Sequence, residues 1–255
     1  MSHAVPALFV LFVWWASTAA VLFVDGLPRR TFRTSVGVST LLTLVALYGV
    51  AWSRDVERPL GAYVAFSSSL MVWAWHELAF LLGWVTGPRK EPCPPDARGW
   101  DRFRFATAAV IHHEVALFVT LLGLVALTWR APNQVATWTF GVLWVMRLSA
   151  KLNVFLGVRN LSEDFIPEHL QYLRSYFRRA KLNPLMPLSI LGASAALVWM
   201  VELARTQGPH GAAGVGTTLV ATMLGLAVLE HVFLAVPVPD AVLWKWALRR
   251  PEKDV

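Results

Sequence analysis

The chain has almost no cysteine. Its single thiol, Cys93, excludes an internal disulfide and any multi-cysteine zinc or iron-sulfur site, and it says nothing of redox compartment. Charge is scarce too, at 15% of 255 residues. No Gly-x-Ser-x-Gly elbow is present, and Cys93 sits in a proline-rich loop with no histidine near it in sequence, so nucleophilic hydrolysis has no visible machinery. There is no glycine-rich phosphate loop, no His-Glu-x-x-His, no Glu-x-x-His pair and no histidines at i and i+4. No repeat of 20 to 50 residues and no low-complexity tract divides the chain.

What is abundant is apolar length. Hydrophobic residues make up 56% of the chain, with thirteen tryptophans, and mean hydropathy is +0.52. Windows of about 20 apolar residues, enough for a hydrocarbon core roughly 30 Å thick, fall near 4 to 24, 34 to 52, 60 to 86, 104 to 130, 134 to 157, 186 to 205 and 213 to 236. The expected fold is therefore all-α: one integral membrane domain over residues 1–255, a polytopic bundle of about seven transmembrane helices. The first window is followed, not preceded, by Arg29, Arg30 and Arg33, the reverse of a cleavable signal, and it counts as a span.

A net charge of +7 raises the question of nucleic acid, but the basic residues are scattered between spans, so no nucleic-acid partner is expected and the lipid bilayer is. Alternate connections, with the tail after Trp244, hold 17 of the 23 basic residues. The positive-inside rule then puts the N-terminus in the periplasm and the C-terminus in the cytoplasm. On the cytoplasmic side, Asn160 with Glu163 resembles a capping box, and Pro167 suits a first turn. Leu170, Leu173 and Phe177 share a face that Arg174, Arg178 and Arg179 mostly avoid. That pattern predicts an amphipathic helix near 164 to 180 with its arginines on the lipid surface.

Inside the spans lie ionisable residues that an apolar helix does not need. His76-Glu77, His112-His113-Glu114 and Glu230-His231 bring adjacent histidine and glutamate from three helices. A charge at the centre of a membrane helix costs about 2.5 to 3.5 kcal/mol on insertion scales, so such groups face an interior and find partners. At 1.5 Å per residue all three pairs fall roughly 9 to 15 Å from the cytoplasmic end, in one layer. Arg147 and Lys151, at i and i+4 on the fifth span, enter that layer, and Glu163, Asp164, Glu168 and His169 are placed to fold over its mouth. Adjacent helical residues point about 100° apart, so His113 with one neighbour is the better candidate than His112 with Glu114. Three readings stay open. The groups form an ion network that fixes packing; or His76, Glu77, His113, Glu114, Glu230 and His231 hold iron or zinc; or an imidazole is the axial ligand of a tetrapyrrole beside Trp73, Trp75 or Trp144.

Four segments, GLPRRTFR, WHELAFLLGWVTGPRK, APNQVATWTFGVLWVMRLSAKLNVFLGVRNLSEDFIPEHLQYLRSYFRR and LEHVFLAVPVPDAVLWKWALR, together resemble the PuhE family, photosynthetic complex assembly protein 2 of anoxygenic phototrophic bacteria. The resemblance covers nearly the whole chain and is most specific between Trp138 and Arg179. It implies a bacterial inner-membrane protein, an assembly factor for reaction-centre and light-harvesting complexes whose partners are photosynthetic membrane proteins or pigment, with bacteriochlorophyll supply as one role. It carries over no catalytic or binding residue. The contrasting function is a metal-dependent membrane oxidoreductase acting on a tetrapyrrole or another lipid-soluble substrate at the His/Glu cluster.

Overall fold

The computed structural model describes residues 2–161, 166–181 and 183–236. Its framework is seven helices long and apolar enough to cross a membrane. They are α1 (Ala4–Asp25), α2 (Phe32–Ser53), α3 (Pro59–Leu81), α4 (Gly99–Leu127), α5 (Val135–Leu156), α6 (Leu185–Gln207) and α7 (Ala212–Ala235). The protein is a multi-pass, all-helical membrane protein.

Hydropathy alone does not say which helices are central. Of the most apolar windows, 56% of that in α3 and 61% of that in α7 is buried, against 6% in α6. Small residues explain the difference. Gly216 of α7 stands where a Cβ would meet the Val135 side chain at 2.5 Å and Ala62 Cβ at 3.7 Å, and Ala62, Ala65 and Ala136 of α3 and α5 are all buried. The three backbones can thus approach closely. Val10, Phe66, Leu219 and Met223 join α1 to α3 and α7, while Val50, Leu117, Leu124 and Phe140 join α2, α4 and α5.

Two asparagines knit the helix ends. Asn133 accepts from the Val135 N–H (3.1 Å) and donates to the Ser53 carbonyl (2.9 Å), tying the start of α5 to the end of α2. Asn183 accepts from the Leu185 and Met186 N–H groups (2.9 and 3.0 Å) and donates to the Gly157 carbonyl (2.7 Å), tying the start of α6 to the end of α5. Each satisfies orphan helix-end groups on two elements at once.

The third span is shorter than the sequence window. It ends at Leu81, not near 86, because the Trp84 and Val85 N–H groups turn back to the Ala79 carbonyl (2.9 and 3.1 Å) through Gly83 at φ 76°. The following segment lies along α4. The His113 N–H donates to the Thr86 carbonyl (3.0 Å) and the Arg89 N–H to the Ala108 carbonyl (3.2 Å).

The expected amphipathic helix is present as a 3₁₀ helix over Glu168–Tyr176, with Leu170, Leu173 and Tyr176 buried. It does not extend to 180, because beyond Tyr176 the chain is drawn beside the end of α5: the Arg178 N–H donates to the Val154 carbonyl, and Val158 bridges to Arg179. Leu170, Leu173 and Tyr176 pack on Phe80 and Ala109, so this strap faces the bundle. Arg102 holds it from α4, donating to the Tyr176 carbonyl (2.6 Å) and the Phe155 carbonyl (3.1 Å), and Arg89 donates to the Tyr176 hydroxyl (2.9 Å). The capping-box residue Glu163, Asp164 and the basic tail lie outside the described residues.

At Gly87 a Cβ would fall 2.2 Å from the Ala108 carbonyl oxygen and 2.5 Å from the Ala109 carbonyl carbon, both backbone. Gly87→Ala is expected to cost about 1–3 kcal/mol, read as a lower thermal midpoint in detergent. Gly123→Ala, on α4 with nothing within 4 Å of the new Cβ, should leave the midpoint unchanged or raise it.

Candidate functional site: a charged cavity among five helices

Towards the strap end α1, α3, α4, α5 and α7 surround a cavity of about 730 Å³. Its walls are largely apolar and include Trp14, Trp73, Phe80, Phe103 and Phe155, and the strap contributes Leu170, Leu173 and Tyr176. Among the described residues five charged ones line it: Glu77, Glu114, Arg147, Lys151 and Glu230. No histidine does.

The charges meet in pairs. Arg147 Nη2 donates to Glu77 Oε2 at 3.1 Å, and Lys151 Nζ donates to Glu114 Oε1 at 2.5 Å. Arg147 and Lys151 sit one turn apart on α5, so one face of that helix reaches both α3 and α4. Lys151 Nζ also stands 5.4 Å from the Phe80 ring centre. Glu230, from α7, adds its field to that of Glu77 and Glu114 around Arg147.

The histidines stand behind the wall. His113 is fully buried, its ring 4.7 Å from that of Phe80, and its Nε2 lies 3.9 Å from Glu77 Oε1. That is beyond a hydrogen bond. Both His113 ring nitrogens and Glu77 Oε1 are buried atoms without a hydrogen-bond partner. His76 turns to Thr120 (Nε2 to Oγ1, 2.9 Å). His231 donates from Nδ1 to the Ala227 carbonyl (2.9 Å), and its Nε2 stands 3.0 Å from the Ser149 hydroxyl, on the side of α5 that faces Ser189. His112 is exposed on α4, as the 100° step from His113 requires.

The expected metal set of His76, Glu77, His113, Glu114, Glu230 and His231 is therefore not brought together. Among the described residues no three His, Cys, Asp or Glu side chains are placed to hold a metal ion. The reason is angular: in each dipeptide the glutamate faces the cavity and the histidine is turned to a neighbouring helix, and the cavity carboxylates Glu77 and Glu114 bond cations. An iron or zinc centre does not fit this donor set. A tetrapyrrole fits in part, since the aromatic and aliphatic walls suit a flat apolar ring, while an axial imidazole is not offered by the lining.

Of the supporting residues, His169 donates from Nε2 to the Leu81 carbonyl (2.7 Å), latching the strap to the end of α3, and Glu168 is exposed. Arg178 and Arg179 are exposed and Arg174 half-buried. The strap anchors Arg89 and Arg102, and Ser149 behind His231, escaped the sequence reading. Arg102 carried one signal, a basic residue beside Phe103 in what proves to be the first turn of α4.

Over residues 1–255 the chain matches a family described as "Protein of unknown function (DUF3623)". It belongs to the DUF3623 family. A relative from Rhodobacter capsulatus, described as an uncharacterized 30.4 kDa protein in the puhA 5' region, is 39% identical over 247 residues, 95% of this chain and 89% of its own length. No solved structure matches the chain.

Two outcomes test the site. Lys151→Met leaves Glu114 without its cation in an apolar wall, and breaking a buried pair costs about 3–5 kcal/mol. Folded yield in detergent should fall accordingly, and the Lys151→Met, Glu114→Gln double variant should recover most of it. The second concerns the His169 latch. Burial lowers the His169 imidazole below its ordinary value, against the Leu81 carbonyl, and Arg29 and Lys90 add to the lowering while Glu168 opposes it. A depressed folded value means the latch contributes fully above the ordinary imidazole range, about 6.5, and loses its contribution as pH falls towards the folded value. Hydrogen exchange of the Leu170–Tyr176 amides should therefore quicken between pH 7.5 and 5.5 after correction for intrinsic rates, and His169→Gln should remove most of that dependence.

Proposed function

We propose that this protein is an assembly factor for bacterial photosynthetic complexes that keeps a lipid-soluble pigment, bacteriochlorophyll or a precursor of it, in the cavity while reaction-centre and light-harvesting subunits are built. The observation that carries the reading is the cavity itself: large, walled by aromatics, with charges arranged as ion pairs and no imidazole among its lining residues. Such a lining holds a ligand more readily than it transforms one. The relative's description, which puts it in the puhA 5' region, and the resemblance to photosynthetic complex assembly protein 2 support the same setting. In this reading the host membrane is the bacterial inner membrane with the strap end at its cytoplasmic surface, an orientation that the distribution of basic residues supports.

Deletion of the gene in a phototrophic host should lower reaction-centre and antenna absorbance per cell, and the wild-type gene should restore it. An Ala74→Trp variant, which fills the cavity from α3, should accumulate in the membrane yet restore little. Unchanged complexes and pigment in the deletion strain would end this reading.

A further inference from the structure

We propose that the cavity selects an uncharged amphiphile, one whose polar end offers ester or ketone carbonyls to Arg147, over the same molecule carrying a free carboxylate. This rests on the reading of the cavity as a ligand site and names the class of ligand.

The two cations of the lining are already matched. Glu77 takes Arg147 and Glu114 takes Lys151. An anionic head would have to displace one of these carboxylates, and a displaced carboxylate beside an apolar lining that includes Phe80, Leu170 and Val110 becomes an unpaired charge. Arg147, for its part, is not saturated. Its side chain remains 46% exposed and lines the cavity, and only Nη2 is engaged with Glu77. A guanidinium has five N–H donors, so several are free for a neutral acceptor. A carbonyl dipole accepts them without adding charge to a layer that already holds Glu77, Glu114 and Glu230 around Arg147. The remainder of the lining, Trp14, Trp73 and Leu143 among others, suits the apolar body.

The experiment uses the full chain in phosphatidylcholine nanodiscs with two probes, pyrene-labelled hexadecanoic acid and its methyl ester, at pH 9, where the acid is ionised. Energy transfer from protein tryptophan, Trp14 and Trp73 being in the lining, reports binding. The ester should bind at least tenfold more tightly than the acid. In Glu77→Gln, which leaves the Arg147 charge unmatched, the acid should gain until the ratio nears one; if that variant does not fold, Glu114→Gln makes the same test through Lys151. Equal or tighter binding of the acid by the wild-type chain, or a ratio that neither variant moves, overturns the selectivity and leaves the cavity a ligand site. If neither probe gives more transfer than in the cavity-filled Ala74→Trp chain, the cavity is not a ligand site, and the pigment-holding reading falls with this one.

Discussion

An unpaired charge in hydrocarbon is the constraint around which this bundle is arranged. Arg147 and Lys151 can stay ionised on α5 only because α3 and α4 bring Glu77 and Glu114 to them. That requirement fixes the rotation of three helices at once. A turn of α3 by one residue would put His76 where Glu77 stands and leave the guanidinium facing an imidazole that is now hydrogen-bonded to Thr120. The pairs therefore work as register marks. Apolar packing between helices in lipid gains little from the hydrophobic effect, so such marks matter more here than in a water-soluble core.

Much of this was legible in the residues. Seven apolar windows gave seven helices, and Glu77, Glu114, Glu230, Arg147 and Lys151, which the spacing put in one layer, line one cavity. Period and length suffice for this because hydrocarbon tolerates few alternatives to a helix. The roles within the layer were less legible. The sequence shows histidine beside glutamate three times but not which of the two faces inward, and a 100° difference decides between a ligand shell and an ion network. His231 shows the difficulty: its partners, Ser149 and the Ala227 carbonyl, carry no mark in the sequence. The end of α3 was misplaced for a related reason. Trp84 and Val85 continue the hydropathy of the helix, but Gly83 has already reversed the chain.

The strap repeats the lesson with the opposite sign. Its period marked an apolar face through Leu170 and Leu173, which is there, but the basic residues pointed to a lipid surface as its seat. The face closes the cavity instead, and what holds it are Arg89 and Arg102, contributed by the α3–α4 connection and the start of α4. A one-dimensional pattern gives the side of a helix that wants burial. What it is buried against depends on contacts far along the chain, 74 residues apart for Arg102 and Tyr176.

The central position of both α3 and α7 has a consequence for biosynthesis. α3 is complete at Leu81, whereas α7, which packs on it in the finished bundle, begins at Ala212. At a synthesis rate of roughly 5–20 residues per second, the ribosome takes on the order of 7 to 26 seconds to cover that interval. Ser69, His76 and Glu77 find their partners earlier, on α4 and α5, so what waits through that interval is the apolar face of Ala62, Phe66 and Leu70 that Leu219 and Met223 cover. Among the described helices α7 is the last made, and a chain halted before it would leave this face of α3, and Val10 of α1, without their cover.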